Sequence, residues 1–266
     1  MQQAGHAIHM VPTMGALHNG HIALIIRARL TGGIVICSIF VNPTQFNDPA
    51  DLEKYPRPME SDITMLLEAS CDVLFLPSVS EVYPNGIEKL TDYDLGHLPE
   101  FLEGASRPGH FKGVANVVDR LVTLVKPDKI YLGQKDFQQV KVIERLAQLQ
   151  QWQLEIVTCP IEREENGLAM SSRNVRLTVG QRENAALISK TLGWIQDHYR
   201  EHNPAEIKAE AIQRINAIPE AAVDYLEFCD TDRFQLIDGW KGSGEVVVVT
   251  AVKVGIVRLL DNVLLR

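Results

Sequence analysis

The stretch VPTMGALHNGH, residues 11–21, decides the fold of the first part of the chain. It follows an apolar run and precedes a segment in which apolar residues recur every three or four positions, so it predicts a buried strand that gives way to a helix. Gly15 and Gly20 let the backbone approach a ligand. His18 and His21 lie near the predicted helix N-terminus, whose free amides favour anions. A lone histidine is usually structural, but this spaced pair indicates a phosphate-binding turn.

Apolar runs of strand length recur between residues 7 and 160. They are AIHMVP, GGIVICSIFV, DVLFLPS, DKIYLG and LEIVTCP. Continuous rather than alternating hydrophobicity is typical of strands that are buried on both faces of a parallel sheet. Helical patterns over residues 21–30 and 60–69 separate some of these runs. The alternation predicts a doubly wound α/β domain.

The pattern changes after about residue 177. A polar helical region over residues 179–218 is interrupted at HNPAE, and β-rich AVDYLEFCDT follows. The segment GEVVVVTAVKVGIVRLLDN then reads as two strands around Val254 and Gly255. Helices followed by clustered strands indicate a small α+β domain. We therefore expect one domain over residues 1–177 and a second, smaller one over residues 178–266.

Composition limits the class of protein. The chain has 266 residues, of which 45% are hydrophobic and 23% charged, and its formal net charge is −8. This acidic balance argues against broad nucleic-acid binding. No apolar run approaches the roughly 20 residues of a membrane helix, and no leader-like segment opens the chain. The four cysteines lack the paired spacing of a zinc or redox site. We expect a cytoplasmic protein with reduced thiols and no membrane contact.

Polar segments follow four of the predicted strands, where ligands bind in open parallel sheets. Besides the histidine turn, NPTQF offers the neutral amides of Asn42 and Gln45, which suit a small substrate with hydroxyl and carboxylate groups. LGQKDFQQ offers Lys135 for phosphate and Asp136 for ribose hydroxyls. GLAMSSRN, residues 167–174, can surround an anion with hydroxyls, amides and a guanidinium. We expect all four segments to face one crevice.

Simpler explanations stay open for several of these residues. Turn chemistry explains Asn42 on its own, although it leaves Gln45 without a role. A Lys-Asp pair in a loop is often only solvated surface. Arg107 and His110, in SRPGHFKGV, are more often structural than functional.

The ordered motifs PTMGALHNGH, SIFVNPTQF, RPGHFKGV, LGQKDFQQ and GLAMSSRN resemble the pantothenate synthetase family of the HxGH nucleotidyltransferase superfamily. The resemblance covers about residues 11–177, and the remaining residues match only in general character. It implies a Rossmann-like domain with a smaller C-terminal lid domain, usually in a homodimer. It also implies a ligase that joins pantoate to β-alanine with ATP and Mg²⁺, through a pantoyl-adenylate.

The resemblance also implies roles for single residues. His21 matches a proton donor, His18 its phosphate-contacting partner, and these two join Lys135 as the expected catalytic groups. Gln45 and Gln139 match pantoate-binding glutamines. The expected ATP-binding residues are Met14, Gly15, Ala16, Leu17, His18, Asn19, Gly20, His21, Gly133, Gln134, Lys135, Asp136, Glu162, Met170, Ser171, Ser172 and Arg173.

Asp62 matches an acidic residue that lies near the metal ion in the family. Ser61 stands where a second acid often adjoins it, which weakens the magnesium assignment. Glu162 stands where the family has a small apolar residue that contacts the adenine through its backbone. This departure weakens the assignment of the residues around the adenine.

Two other classes of protein remain alternatives. A nucleotidyltransferase that moves AMP or CMP onto a phosphate-containing acceptor would need a second cationic cluster, whereas the second strand ends in neutral NPTQF. A non-catalytic nucleotide sensor would not need the histidines, Lys135 and both glutamines together.

Overall fold

The computed structural model describes residues 5–240 and 244–266. Contacts divide the chain into two compact units. The first unit extends to Gly133 and resumes over Gln138–Cys159. The second unit consists of Gln134–Phe137 and Pro160–Arg266. The chain thus leaves the first unit briefly after one strand and leaves it for good at Pro160.

A parallel sheet of five strands forms the centre of the first unit, within the residues described. The strand order along the sheet is β3-β2-β1-β4-β5, with all neighbours parallel. The strands are β1 (Ile8–Thr13), β2 (Ile34–Ile39), β3 (Val73–Phe75), β4 (Lys129–Gly133) and β5 (Glu155–Cys159). All five lie where the apolar runs predicted them.

Helices cover both faces of this sheet. They are α1 (Asn19–Leu30), α2 (Pro49–Glu53), α3 (Met59–Glu68), α4 (Val79–Val82), α5 (Glu103–Ser106), α6 (His110–Val125) and α7 (Phe137–Leu149). Adjacent residues of β1 point to opposite faces, as the pleat requires. Met10 belongs to the apolar cluster with α6 and α7, and Val11 to the cluster with α1 and α3. The predicted doubly wound α/β fold is confirmed.

The sheet has a topological switch point between β1 and β4. From β1 the chain order runs outward to β2 and β3 on one side, and to β4 and β5 on the other. Crossover connections therefore diverge at this point, which opens a crevice at the carboxyl ends of the strands. The histidine turn follows β1, so it lies at the place where open α/β sheets bind ligands.

The second unit contains an antiparallel sheet of β6 (Ala221–Asp230), β7 (Val246–Val254) and β8 (Val257–Leu265). Two helices, α8 (Val179–His198) and α9 (Pro204–Asn216), contribute to one apolar cluster with the sheet. The predicted smaller α+β unit is confirmed.

The division between the units falls after Cys159, earlier than the boundary near residue 177 that the sequence suggested. Leu168 is part of the apolar cluster of the second unit. Arg163 pairs with Asp261 of β8 at 2.7 Å. These two contacts attach the intervening segment to the C-terminal unit, although no change in composition marks it.

The four cysteines all lie among the described residues and form no disulfide, and three of them are buried. Burial raises the pKa of the Cys37 and Cys229 thiols to about 12 in each case, with desolvation as the largest cause. Among the helices described, none has both the length and the apolar character that crossing a bilayer demands.

Candidate active site

The turn after β1 has an unusual backbone. Gly15 has φ +78° and Ala16 has φ +49°, so two successive residues lie in the left-handed region. A non-glycine residue there costs about 1–3 kcal/mol unless its surroundings hold it. The buried carboxylate of Asp62 does this, because one oxygen accepts from the Ala16 amide at 2.9 Å and the other from the Leu17 amide at 2.8 Å.

Gly15 also has no room for a side chain. A Cβ at this position would lie 2.9 Å from Cγ2 of Ile39 and 3.0 Å from Oδ2 of Asp62. The glycine is therefore needed both for its φ angle and for close packing.

His18 and His21 form a capping box at the start of α1. The Nδ1 of His18 accepts from the amide of Gly20 at 3.1 Å, and the Nδ1 of His21 accepts from the amide of His18 at 3.3 Å. This cap explains why α1 begins at Asn19, two residues before the predicted start. Reciprocal caps of this kind usually use Ser or Thr with Glu or Gln.

The caps select one tautomer of each ring. A nitrogen that accepts a main-chain proton carries none itself, so the neutral imidazoles of His18 and His21 are protonated on Nε2. The two ring centroids lie 4.1 Å apart. The turn thus places two neighbouring imidazoles, each with an Nε2–H donor, at a helix N-terminus, which suits a polyanion such as a triphosphate.

Gln45 lies in the loop after β2 and is held at both ends. Its side-chain Oε1 accepts from Nδ2 of Asn42 at 3.0 Å. Its main-chain carbonyl accepts from Nδ1 of His110 at 2.9 Å and from Arg107 at 3.4 Å. Its Nε2 lies 3.4 Å from Sδ of Met14, which joins it to the histidine turn.

These contacts assign a structural role to Arg107 and His110, which the sequence did not assign. Arg107 and His110 hold the backbone of Gln45, and Arg107 also lies 3.0 Å from Nε2 of His110. Asn42, expected in the substrate pocket, is only 1% exposed and hydrogen-bonds to protein groups. The structure therefore makes Asn42 a support for Gln45 rather than a surface for the substrate.

The geometry speaks against Asp62 as a magnesium ligand. Its side chain is 1% exposed, and both carboxylate oxygens accept from main-chain amides. Over residues 5–240 and 244–266, no three His, Cys, Asp or Glu side chains are grouped so that they could hold a metal. The residues described therefore do not fit a magnesium site built from protein side chains.

In the second unit, β8 holds the segment that carries Lys135. Nδ2 of Asn262 donates to the carbonyls of Gln134 and Lys135 at 2.9 and 3.0 Å, and its Oδ1 accepts from Nε2 of Gln134 at 3.0 Å. Lys135 pairs with Asp136 at 3.3 Å. Sequence reasoning missed Asn262, although the adjacent polar pair Asp261 and Asn262 in the apolar strand VRLLDNVLL was a signal.

Next to Asn262, Asp261 makes an ion pair between its buried carboxylate and the half-buried Arg163. Its carboxylate accepts two bonds from Arg163, at 2.7 and 2.9 Å. Desolvation raises the pKa of Asp261, and the Arg163 guanidinium opposes this shift. The pair ties the segment that follows β5 to the C-terminal sheet.

The serine-rich segment is also braced within the second unit. Ser171 caps a short 3₁₀ turn (Ser172–Arg176), with its hydroxyl accepting from the Arg173 amide at 3.3 Å. The Met170 amide donates to the Glu162 carbonyl at 2.9 Å. Two of the residues expected near the nucleotide thus hold each other.

The structure brings the expected residues into two groups. In the first unit, Met14, His18, His21 and Gln45 belong to connected loops at the carboxyl ends of β1 and β2, and Gln139 is half-buried in α7. In the second unit, the segment 134–136 is held by β8, and residues 162 and 170–173 form another braced loop. That both groups contact one nucleotide stays a prediction.

Comparison with known proteins decides the family. A family model described as pantoate-beta-alanine ligase matches residues 1–264. The chain belongs to the pantoate-beta-alanine ligase family. The resemblance drawn from the motifs is confirmed, and the matched range includes the C-terminal unit, well beyond the residues that carried it.

Individual members of the family are similar over nearly their whole length. A pantothenate synthetase of Porphyromonas gingivalis strain W83 is 48% identical over 259 residues, which is 97% of this chain and 92% of the relative. The crystal structure of pantothenate synthetase from Thermus thermophilus has a TM-score of 0.89 at 39% identity, over 97% of this chain and 92% of that one. A Francisella tularensis pantoate-beta-alanine ligase, complexed with beta-gamma ATP and beta-alanine, has a TM-score of 0.80 at 38% identity, over 98% of this chain and 90% of that one.

Proposed function

We propose that this chain uses ATP to condense pantoate with β-alanine, through a bound pantoyl-adenylate, and releases AMP and pyrophosphate. The observation that carries the proposal is the turn in which His18 and His21 cap α1 through Nδ1, so that the Nε2 atom of each neutral ring carries the proton. Membership of the pantoate-beta-alanine ligase family supports it. So does the relative that was solved in complex with beta-gamma ATP and beta-alanine.

The chemistry requires activation of a carboxylate, because a carboxylate has no usable leaving group at neutral pH. The pantoate carboxylate attacks the α-phosphorus of ATP, and pyrophosphate leaves. The amine of β-alanine then attacks the mixed anhydride, and AMP leaves. No protein nucleophile is required.

The protein's task is to orient the reactants and to stabilise charge that builds up on phosphate oxygens. We assign this to the Nε2–H donors of His18 and His21 and to the ammonium group of Lys135. Gln45 and Gln139 hold pantoate. The helix N-terminus of α1 adds its amides and its dipole.

Magnesium would enter with the nucleotide, where it would neutralise phosphate charge. No step is assigned to it, because the side chains described do not form a site for it. The homodimer and the cytoplasmic location that the family resemblance implies are part of the same proposal. Sedimentation of the purified chain tests the first of these.

The test follows AMP in the presence of ATP, Mg²⁺, pantoate and β-alanine. AMP formation that depends on both acids supports the proposal. Transfer of a nucleotide to a phosphate-containing acceptor, or ATP binding without turnover, would instead favour one of the two alternative classes.

Variants test the assigned residues. His21→Ala and Lys135→Ala should each lower pantoate-dependent pyrophosphate release by about tenfold or more, since each removes a donor to a charged oxygen. His198→Ala in α8 and Lys253→Ala in β7 remove the same types of side chain at residues to which no role is assigned, and they serve as matched controls. Near-normal release by folded His21→Ala and Lys135→Ala would refute the assigned roles.

A further inference from the structure

A buried polar cluster lies behind Gln45. Asn42 is 1% exposed, Tyr83 is 7% exposed and Gln45 is 8% exposed. Tyr83 lies at the end of α4, and its pKa is raised, chiefly because it is desolvated. The function proposed above uses Gln45 but gives Tyr83 no role.

Two main-chain groups set the orientation of the Asn42 amide. The Thr44 N–H, which can only donate, points to Oδ1 of Asn42 at 3.4 Å. The Gly113 carbonyl, which can only accept, lies 3.2 Å from Nδ2 of Asn42. Oxygen and nitrogen of this side chain therefore have one consistent assignment.

The absence of a side chain at Gly113 allows this arrangement. A Cβ there would lie 2.4 Å from the Thr44 carbonyl oxygen, so α6 can approach the loop after β2 this closely only with glycine.

The orientation of Asn42 determines the polarity of its neighbours. Because Oδ1 accepts, the hydroxyl of Tyr83 must donate to it, at 2.8 Å. The second proton of Nδ2 goes to Oε1 of Gln45, at 3.0 Å. The Gln45 amide is thereby turned so that Nε2 points away from Asn42, towards the weak acceptor Sδ of Met14 at 3.4 Å.

We infer that Asn42 and Tyr83 are positioning residues. The main-chain groups of Thr44 and Gly113 orient the Asn42 amide, and Asn42 in turn orients the Gln45 amide, so that Gln45 offers N–H donors to its ligand. The inference rests on the proposed function, in which Gln45 binds the hydroxy acid. A carboxylate or hydroxyl oxygen accepts such a donor, whereas a Gln45 that offered Oε1 would repel a carboxylate. The cluster therefore selects a substrate by its acceptor groups.

Asn42→Asp tests most directly whether Asn42 orients the Gln45 amide. An aspartate can donate to neither Gly113 nor Gln45, so the Gln45 amide would turn over and present its oxygen. We expect the KM for pantoate to rise by about tenfold or more, while the KM for ATP changes by less than about twofold. Asn116→Asp is the matched control, since Asn116 is also buried and its amide also bonds to main-chain groups, two on Thr91 and one on Lys112.

Tyr83→Phe provides a second route if the buried carboxylate prevents folding. It removes only the hydroxyl, so Asn42 loses one donor and holds its orientation less firmly. We expect a smaller rise in the pantoate KM, about threefold, with normal thermal unfolding.

A double-mutant cycle shows whether these residues act through Gln45. In a Gln45→Ala background, Tyr83→Phe should no longer change the pantoate KM. An unchanged pantoate KM in folded Tyr83→Phe, or an equal effect with and without Gln45, would overturn the inference. Absence of pantoate-dependent AMP in the unmodified chain would instead overturn the proposed function.

Discussion

Replacement of Asp62 by asparagine separates the role of this residue in the histidine turn from that of a metal ligand. The carboxylate accepts from two consecutive amides, those of Ala16 and Leu17, at 2.9 and 2.8 Å. An asparagine keeps one acceptor and places an NH₂ group against the other amide. Asp62→Asn therefore loses one charge-assisted bond and leaves one buried N–H without an acceptor.

The magnitude follows from these two losses. A hydrogen bond to a charged group contributes about 1.5–3 kcal/mol, and a buried donor without an acceptor costs about 1–3 kcal/mol. The side chain is 1% exposed, so water does not screen the change. Because the two losses overlap, we expect the turn to be destabilised by about 3 kcal/mol, which corresponds to about a 100-fold fall in kcat/KM for ATP.

The assay is pantoate-dependent pyrophosphate release at varied ATP and varied Mg²⁺. We expect Asp62→Asn to raise the ATP requirement and to leave the Mg²⁺ concentration for half-maximal rate, at saturating ATP, unchanged. The control is Asp128→Asn, because Asp128 also accepts a main-chain bond, from Ile8 at 2.7 Å, but precedes the amino end of β4. A folded Asp62→Asn with a normal ATP requirement, or one whose defect excess Mg²⁺ repairs, would refute the reasoning.

Three further changes have expected outcomes. Gly15→Ala should abolish ATP use, because its Cβ would lie 3.0 Å from Asp62 at a φ of +78°; normal activity would contradict the crowding. Gln45→Ala should raise the pantoate KM more than the ATP KM, and equal effects would remove it from the acid pocket. Arg163→Gln should lower the free energy of unfolding at neutral pH by about 1–3 kcal/mol, because the buried Asp261 carboxylate loses the guanidinium charge and at least one of its two charge-assisted bonds. Since burial raises the pKa of Asp261, its protonation stabilises the fold, so this defect should shrink as pH falls towards about 4, as urea titrations can check.

Local sequence patterns predicted the strands and some of the helices, but not α2, α4, α5, α6 or α7. The apolar runs predicted every strand of the parallel sheet, because strands covered on both faces are rich in apolar residues, as the burial of β1 and β2 shows. The break at HNPAE separates α8 from α9, where Asn203 caps the second helix and Pro204 starts it. The spacing of His18 and His21 predicted a phosphate-binding turn, which stays a prediction; the structure shows that the same spacing forms a reciprocal helix cap.

Tertiary structure alone decided how the candidate site is supported. Asp62 holds amides 46 and 45 positions away, and Asn262 holds carbonyls 128 and 127 positions away. Asn42 and Tyr83 meet across 41 positions. Which buried main-chain group accepts or donates at such separations depends on how the strands and helices pack. The periodicity of apolar residues along the sequence does not predict these contacts. The sequence by itself therefore determined the strands and the chemistry offered at their ends, whereas the packed chain determined which side chains bond to the backbone of distant loops, because those contacts form only when the elements pack.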